Sequence, residues 1–458
     1  MHPALSLCGT RQAELIRQRK LSSTELVTAH LERIDEVNPG LNAAIEILRD
    51  SALAAAREVD EGRIGGPLAG VPFSIKDSIE VRGTVCSAGT IGYRNNKPST
   101  RDATLVRRLR NAGAIPIART NLPDILFAFE SDNLIYGRTN NPHDLTRTSG
   151  GSSGGEAALI AACGSPFGLG SDAAGSVRLP AHYCGIAALK PTSGRLDRTG
   201  HVPPAGGWIE TLWQIGPMAR HVEDLWTMMP ILLGDPEEGN EDRTVMRFPF
   251  GDREPPPFRS AWFGDNGILA ADDETASTVE RAARALDATH VRPPGIEQSY
   301  DLEMEMLGAD GGDVLREFLR DIGSYQTHPL LEGWLGKLER YRTDVKGFAR
   351  FWAKLDTFRT EMYKFLYDYD VLLSPVSFSP AVKHGTSTND DIFPGYSYTM
   401  THNLTGWPAA TVRCGTSREG LPIGVQIAAA PWREDIVLSV AEFLESATTR
   451  SPDTAAIP

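Results

Sequence analysis

Hydrophobic side chains recur at helical spacing near the N-terminus of the chain. Ser22 and Glu25 form a capping box just before this stripe, and Asn38-Pro39-Gly40 carries the residues that stop helices. We therefore predict a helix between them, and a second helix over the alanine-rich stretch 41–59. The apolar positions of the first helix are Leu26, Val27, His30, Leu31, Ile34 and Val37.

Short apolar runs then alternate with amphipathic segments. Residues 71–75 predict a buried strand that ends on Lys76, residues 100–112 a helix capped by Thr100 or Asp102, and residues 114–118 another strand. This rhythm favours the α/β class, as one large domain whose central mixed, twisted β-sheet is covered by helices on both faces. Further buried runs or strands are predicted at 159–163, 186–189, 261–263, 371–374 and 421–429, and a helix at 274–286.

The strongest helical stripe lies at residues 346–369, where nine apolar side chains, six of them aromatic, share one face. Core packing is the ordinary interpretation of such a stripe. Some of these aromatic side chains could instead wall a pocket for an apolar substrate. By contrast, the polar, proline-bearing segment 234–257 predicts a long surface loop.

Composition narrows the classes of function. Among 458 residues, 59 are acidic and 46 are basic, so the net charge of −13 disfavours nucleic acid and anionic membranes as partners. No apolar stretch reaches eighteen residues, so we expect no membrane span. The five cysteines are scattered without a C-x-x-C pair, which argues against disulfides and a metal site and fits a reducing, cytoplasmic location. They are Cys8, Cys86, Cys163, Cys184 and Cys414.

Two glycine-rich loops carry serines, at 148–156 (TSGGSSGGE) and 168–180 (GLGSDAAGSVRLP). Glycine lets the backbone approach a substrate and aim several N–H groups at one point, as a nucleophile and an oxyanion site require. Neither loop contains histidine, and none lies beside Lys76. We therefore expect a base other than imidazole.

Lys76 is the candidate base, and its segment alone allows two interpretations. It could end a strand with its amine in water, or its amine could be buried, with a pKa low enough for a neutral base. In the second loop, Asp172 and Arg178 could pair and brace the turn around Ser176. The amides of residues 173–176 could form a nest for developing negative charge.

These segments together resemble the amidase signature family of serine hydrolases. LAGVPFSIKD is similar to the family's lysine strand, and TNNPHDLTRTSGGSSGGEAAL to its glycine/serine core. GSDAAGSVRLPAHYCGIAALKPTSGR is similar to the nucleophile segment, and NLTGWPAATV and GLPIGVQIAA to C-terminal core pieces. The resemblance covers most of residues 10–230 and 370–445.

The resemblance implies a Ser-cisSer-Lys triad, with Ser176 as nucleophile, Ser152 as bridging serine after a cis peptide bond, and Lys76 as base. It implies oxyanion donors on the amides of Ala173, Ala174, Gly175 and Ser176, with Ala174 in place of a glycine usual in the family. Matching by position also places residues 125–129 on the acyl-side wall. The wall residues are Leu126, Phe127 and Phe129, and the expected structural supports are Ser153, Asp172 and Arg178.

The whole chain is thus expected to be one amidase domain that needs no cofactor. Residues 1–62 would form a helical arm or part of the main layer, 63–230 the catalytic core, 235–345 a variable insertion, and 346–445 the rest of the core. The N-terminal helices could pair two copies of the chain as a homodimer.

The expected activity is hydrolysis of the carbon–nitrogen acyl bond of a linear amide by way of an acyl-enzyme. Aryl amides, carbamates and esters are further candidate substrates, and the aromatic stripe favours an apolar or aryl acyl group. Three alternatives stay open: the glutaminase-type component of an amidotransferase complex, an α/β-hydrolase that uses Ser152 or Ser153, and a dinucleotide-binding loop at 168–173.

Overall fold

One mixed sheet of eleven strands organises the protein, which a computed structural model describes at residues 1–204, 206–235, 245–246 and 248–449. The strands are β1 (Ala44–Ile47), β2 (Pro72–Lys76), β3 (Ile115–Thr120), β4 (Phe167–Asp172), β5 (Ala187–Lys190), β6 (Gln214–Ala219), β7 (Ser260–Trp262), β8 (Thr289–His290), β9 (Val371–Pro375), β10 (Ala409–Thr416) and β11 (Pro422–Ala429).

Helices connect these strands along the chain. They are α1 (Gly9–Arg17), α2 (Ser23–Leu41), α3 (Arg49–Asp60), α4 (Thr104–Asn111), α5 (Gly154–Ala161), α6 (Arg178–Cys184), α7 (Val222–Leu233), α8 (Asp273–Ala285), α9 (Ser299–Leu307), α10 (Asp313–Asp321), α11 (Pro329–Leu338), α12 (Val345–Phe365), α13 (Ser397–Leu404) and α14 (Glu434–Thr449).

The strands follow the order β1-β3-β2-β4-β6-β5-β10-β11-β9-β7-β8 across the sheet. The β3-β2-β4 group and the β9-β7-β8 group are parallel, and the pairs between them and at β1 are antiparallel. The strand that carries Lys76 therefore lies inside the sheet, between two parallel neighbours, where both of its faces are covered.

Alternate side chains of the strands enter two apolar layers. On β6, Met218 packs with α2, α3, α5 and α6, whereas Ile215 packs with α4, α7, α8 and α14 on the opposite face. A third apolar layer gathers residues of α9–α13 over the segments 122–129 and 173–183. The predicted α/β class, with a mixed sheet between two helical layers, is confirmed.

The predicted helix at 41–59 is wrong in its first half. Helix α2 continues to Leu41 with Pro39 in its last turn, and the chain reverses at Asn42, whose φ is 50°. The side-chain oxygen of Asn38 accepts hydrogen bonds from the amides of Ala43 and Ala44, each at 2.8 Å. The turned chain then pairs with β3 as edge strand β1, and this pairing overrides the helical tendency of the local sequence.

The cap proposed for the helix at 100–112 is also wrong. Helix α4 starts later, at Thr104, and the residue before it is Ala103, which has no polar side-chain atom to cap the helix. Asp102 instead accepts from the amide of Arg82 at 2.8 Å and forms an ion pair with Arg110 at 3.1 Å. A long-range contact therefore uses the carboxylate that the local pattern assigned to the cap.

The two flanking segments join the main architecture. Helices α2 and α3 bury side chains against the sheet, so the N-terminal segment is part of the main layer. Within 235–345, β7 and β8 extend the sheet, and α9, α10 and α11 contribute to the third layer. A long loop was predicted at 234–257. Residues 236–244 and 247 of this segment lie outside the described residues. Within the described ranges, no helix combines the length and the apolar character needed to cross a membrane.

Candidate active site

Lys76 is the last residue of β2, and its side chain is fully buried. Its Nζ lies 2.6 Å from Ser152 Oγ and 3.1 Å from Ser171 Oγ. Burial lowers the pKa of the Lys76 amine well below its ordinary value, although the charges of Asp172 and Glu156 oppose the shift. The sequence left open whether the Lys76 amine is in water or buried, and the structure shows that it is buried.

The Ser152 loop folds tightly against the backbone of residues 128–130. The peptide bond between Gly151 and Ser152 is cis, as the family resemblance implied. A Cβ on Gly151 would stand 2.5 Å from the oxygen of Ala128 and 2.6 Å from the nitrogen of Glu130, so only glycine fits there. The chain then enters α5 directly, so the loop is fixed at both ends by buried structure.

Ser153 connects the two serine loops. Its amide donates to the carbonyl oxygen of Ser176 at 3.1 Å, and its hydroxyl donates to the carbonyl oxygen of Ser171 at 3.2 Å. Ser176 lies between β4 and α6 and is 7% exposed, whereas Ser152 and Ser153 are fully buried. The structure thus places Ser176 nearest to solvent among the three serines.

Asp172 ends β4 and holds the loop that follows. Its carboxylate accepts from the amides of Gly175 at 2.8 Å and Val177 at 3.1 Å. Arg178 donates to both carboxylate oxygens, at 3.0 and 2.8 Å. Burial alone would raise the pKa of Asp172, but the Arg178 charge and hydrogen bonds lower it below its usual range, so Asp172 is ionised.

Elements more than 200 residues away hold the Arg178 side chain. Its guanidinium donates to the carbonyl oxygen of Thr399 at 2.8 Å, Asn403 Oδ1 at 2.6 Å and Gln426 Oε1 at 2.8 Å. Asn403 also donates to Asp172 at 2.9 Å. The buried charges are therefore paired and satisfied, which a buried ion pair requires.

Alanine is accommodated at position 174. Ala174 lies outside the left-handed region, and its carbonyl oxygen accepts from Thr399 Oγ1 at 2.7 Å. Gly175 differs, because its φ is 116° and a Cβ there would overlap the Thr399 side chain. The departure from the family pattern thus falls on the position that tolerates a side chain.

The predicted acyl-side wall is divided between a cavity and the core. Phe127 and Ile125 line a cavity of about 300 Å³ together with Trp208, Ile209 and Phe318. Leu126 and Phe129 are not among its lining residues and are 4% and 1% exposed, with the Phe129 ring 4.0 Å from that of Tyr396. Of the three named wall residues, Phe127 alone faces this cavity.

Two alternatives from the sequence, the α/β-hydrolase and the dinucleotide-binding loop, require local structures that are not found at these positions. All residues between 121 and 153 are described and contain no strand to present Ser152 or Ser153 as a nucleophile elbow. The G-x-G-x-x-A match at 168–173 begins inside strand β4 rather than at a strand-to-helix turn.

Sequence reasoning missed several residues around this site. Ser171 and Glu156 lie inside the serine motifs, and a single acid inside the buried run GGEAALIAA was the available signal for Glu156. Thr399, Asn403 and Gln426 offered no local signal, because only the tertiary fold brings them to Asp172 and Arg178.

Comparison with known proteins identifies the family. The amidase family model matches residues 25–438 of the chain. The chain belongs to the amidase signature family. It is therefore a hydrolase of the family that acts on carbon–nitrogen bonds of amides.

Relatives within this family differ in what they act on. Human fatty-acid amide hydrolase 2 is 31% identical over 97% of this chain and 89% of its own length. The A subunit of glutamyl-tRNA(Gln) amidotransferase from Syntrophobacter fumaroxidans is 33% identical over 95% of this chain and 96% of its own. The structure of 6-aminohexanoate cyclic dimer hydrolase in complex with substrate has a TM-score of 0.84 at 28% identity, over 98% of this chain and 99% of that one.

Proposed function

We propose that this protein hydrolyses a linear amide by way of an acyl-enzyme, with Ser176 as nucleophile, Ser152 as proton relay and Lys76 as base. The observation that carries this proposal is the fully buried Lys76 amine in contact with Ser152 Oγ at 2.6 Å. A neutral amine in that position can take the Ser152 proton, and Ser152 can then take the Ser176 proton.

The proposed reaction conserves its protons. Ser176 Oγ attacks the amide carbonyl while its proton passes to Ser152 and the Ser152 proton passes to Lys76. The proton then returns along the same route to the leaving nitrogen, and the carbon–nitrogen bond breaks. Water hydrolyses the resulting ester by the same relay and releases the acid.

The oxyanion donors need one correction to the sequence expectation. The amide of Gly175 already donates to Asp172, so we assign it to holding the loop. The amides of Ala173, Ala174 and Ser176 remain as the proposed donors to the oxyanion. Asp172 and Arg178 support this loop and do not take part in the proton transfers.

We further propose an amide with an apolar or aryl acyl group as the substrate. Phe127 lines the 300 Å³ cavity, and its ring packs against Trp213 and Trp334 in the apolar layer to which Ala173 and Ala174 also belong. This shared layer is the support for placing the acyl group of the substrate in the cavity, although the residues that line it lie outside both serine loops. The name of the fatty-acid amide hydrolase relative is consistent with such a substrate.

A fluorophosphonate label, located by mass spectrometry, tests the nucleophile. We expect one label, on Ser176 of the wild type, and none on Ser176→Ala. A label that persists on Ser152 or Ser153 in Ser176→Ala would contradict the proposal and return the elbow alternative.

A panel of matched amides tests the substrate class. Hexanoyl and benzoyl amides should be hydrolysed with a higher kcat/KM than acetamide, malonamide or glutamine. Aryl carbamates and esters with the same acyl groups extend the panel. A preference for glutamine would instead favour the function named for the amidotransferase relatives, and a preference for malonamide would refute the apolar pocket.

A further inference from the structure

A buried carboxyl that the proposed mechanism does not use, that of Glu156, lies against the strand that carries Lys76. Glu156 is in the first turn of α5 and is fully buried. Its Oε2 accepts from Thr120 Oγ1 at 2.7 Å, and its Oε1 accepts from Ser74 Oγ. Burying a carboxyl group costs free energy unless it is hydrogen-bonded, so these two partners are expected. The proposed mechanism gives this carboxyl no role.

The two hydroxyl donors place this carboxyl beside Lys76. Ser74 precedes Lys76 by two residues on β2, so both side chains point to the same face of the sheet. Thr120 is the Cα partner of Lys76 across the parallel pair β2–β3. The carboxyl of Glu156 is thus held by the residues next to Lys76 along the strand and across it.

The neighbouring strand leaves room for the acid. A Cβ on Gly168 of β4 would overlap Glu156 Oε1, so the carboxyl occupies the space that this glycine leaves. Burial raises the pKa of Glu156 to about 7, although the hydroxyls of Ser74 and Thr120 and the Lys76 charge oppose the shift. The charge of Glu156 therefore changes near neutral pH.

We propose that Glu156 is a titratable counter-charge for the ammonium that forms on Lys76 whenever Ser152 gives up its proton. This inference rests on the proposed function. Lys76 becomes positive as Ser176 attacks, and an ionised Glu156 stabilises that charge without contact with the substrate. When the proton returns to the leaving nitrogen, Lys76 is neutral again. Glu156 is thus a positioning residue that acts through Lys76.

Asp172 also acts on Lys76, and its charge opposes the fall in the Lys76 pKa more strongly than that of Glu156. Asp172 is held ionised by Arg178, so Glu156 is the carboxyl of this pair whose charge changes near neutral pH. Asp77 is paired with Arg119. Burial lowers the pKa of His201 well below neutrality.

On the helices packed against α5, burial lowers the pKa values of His30 and His182 to about 3 and 4 and raises those of Tyr183 and Cys184, so these four groups are neutral near pH 7. Arg33 donates to the carbonyl oxygen of Ala162, and Arg220, which follows β6, contacts the Cys163 thiol. The acids on α2 and β1 are exposed, namely Glu25, Glu32, Asp35, Glu36 and Glu46.

The pH dependence of kcat/KM in Glu156→Gln tests the proposal. The glutamine keeps the size of the side chain and removes the charge. Its oxygen can accept one of the two hydrogen bonds, and its NH2 group can donate to the other hydroxyl. The acid limb of the profile should move to lower pH by about one unit, because Lys76 loses an opposite charge nearby. The plateau should fall about tenfold, because the ammonium is less stabilised. An acid limb at the wild-type pH would overturn the inference.

Thr120→Val gives an independent reading if Glu156→Gln does not fold. It removes one hydrogen bond to the ionised carboxylate, so Glu156 stays protonated to higher pH and gives Lys76 less counter-charge. The acid limb should therefore move to lower pH, as in Glu156→Gln, but by less. Ser165→Ala is the matched control, because Ser165 contacts only the Ser74 hydroxyl of this group, at 2.7 Å, and should keep the wild-type limb. A Thr120→Val limb at the wild-type pH would overturn the inference.

The fluorophosphonate label separates this inference from the proposed function. If Ser176 is not labelled in the wild type, the proposed function fails and the counter-charge fails with it. If Ser176 is labelled but the limbs of Glu156→Gln and Thr120→Val coincide with that of the wild type, only the counter-charge fails.

Discussion

Two buried lysines at the ends of strands differ in the group that each amine contacts. Lys76 ends β2, Lys190 ends β5, and neither side chain is exposed. Burial lowers both pKa values, that of Lys190 to about 7. Lys190 Nζ donates to the carbonyl oxygen of Pro191 at 2.8 Å, whereas Lys76 Nζ contacts the hydroxyl of Ser152. A carbonyl has no proton to give, so burial lowers the pKa of both amines, but of these two contacts only that of Lys76 offers the proton that the proposed base would take.

Replacement of each lysine by methionine tests this difference most strongly. We expect Lys76→Met to lower kcat/KM by about 10⁴-fold or more, as losses of triad members do. Lys190→Met should stay within about tenfold of the wild type, because no proton transfer uses its amine. Steady-state kinetics on a hexanoyl amide, with circular dichroism to check folding, measures both. Equal losses in the two variants would refute the comparison.

The adjacent serines Ser152 and Ser153 should also differ in their effect on activity, by a smaller factor than the two lysines. Ser152→Ala removes the hydroxyl that contacts Lys76 and should lower kcat by about 10³-fold. Ser153→Ala removes a hydrogen bond to the Ser171 carbonyl and should cost about tenfold through the position of the loop. Single-turnover kinetics separates acylation from release. A larger loss for Ser153→Ala would exchange the roles assigned to the two serines.

Phe127→Ala extends the comparison from the proton relay to the acyl pocket. The variant enlarges the cavity proposed to hold the acyl group, so kcat/KM for the hexanoyl amide should fall about tenfold. Acetamide, which does not reach the cavity, should be affected less than twofold. A uniform loss on both substrates would show that Phe127 serves packing rather than specificity.

In stability, by contrast, the two lysines should behave alike. An amine that is neutral when folded and charged when unfolded binds more protons in the unfolded state, so the free energy of unfolding rises with pH. For Lys190 the rise begins at its folded pKa of about 7 and ends at the ordinary lysine value of 10.5. Each variant should reduce the slope between pH 8 and 9 by up to about 1.4 kcal/mol per pH unit. Urea titrations measure this slope, and an unchanged slope in either variant would mean that its lysine is charged in the fold.

Continuous local motifs account for what the sequence could predict. The strand that ends on Lys76 was predicted from its apolar run, and both serine loops from their glycines. The alternation of strands and amphipathic segments was sufficient for the α/β class, because local periodicity reports burial. The roles of Lys76, Ser152 and Ser176 came from resemblance and remain proposals.

The parts that could not be predicted depend on contacts between distant segments. Strand β1 was predicted as helix, because nothing local records its pairing with β3. Asp102 was assigned to a helix cap, because the competing amide of Arg82 is 20 residues away. Similarly, the position of Glu156 beside Lys76 depends on strands β2, β3 and β4 and on Gly168. The loop sequence at 148–156 therefore contains the acid but does not indicate that Lys76 lies next to it.

The rate of fluorophosphonate labelling of Ser176 as a function of pH tests the central claim most directly, because it reports activation of the nucleophile without substrate release. With the buried Lys76 as base, we predict a rate that rises with pH and levels off well below the ordinary lysine pKa of 10.5, with the same midpoint in Lys190→Met. A rate that begins to rise only near the ordinary lysine pKa of 10.5, or that is the same in Lys76→Met as in the wild type, would contradict it.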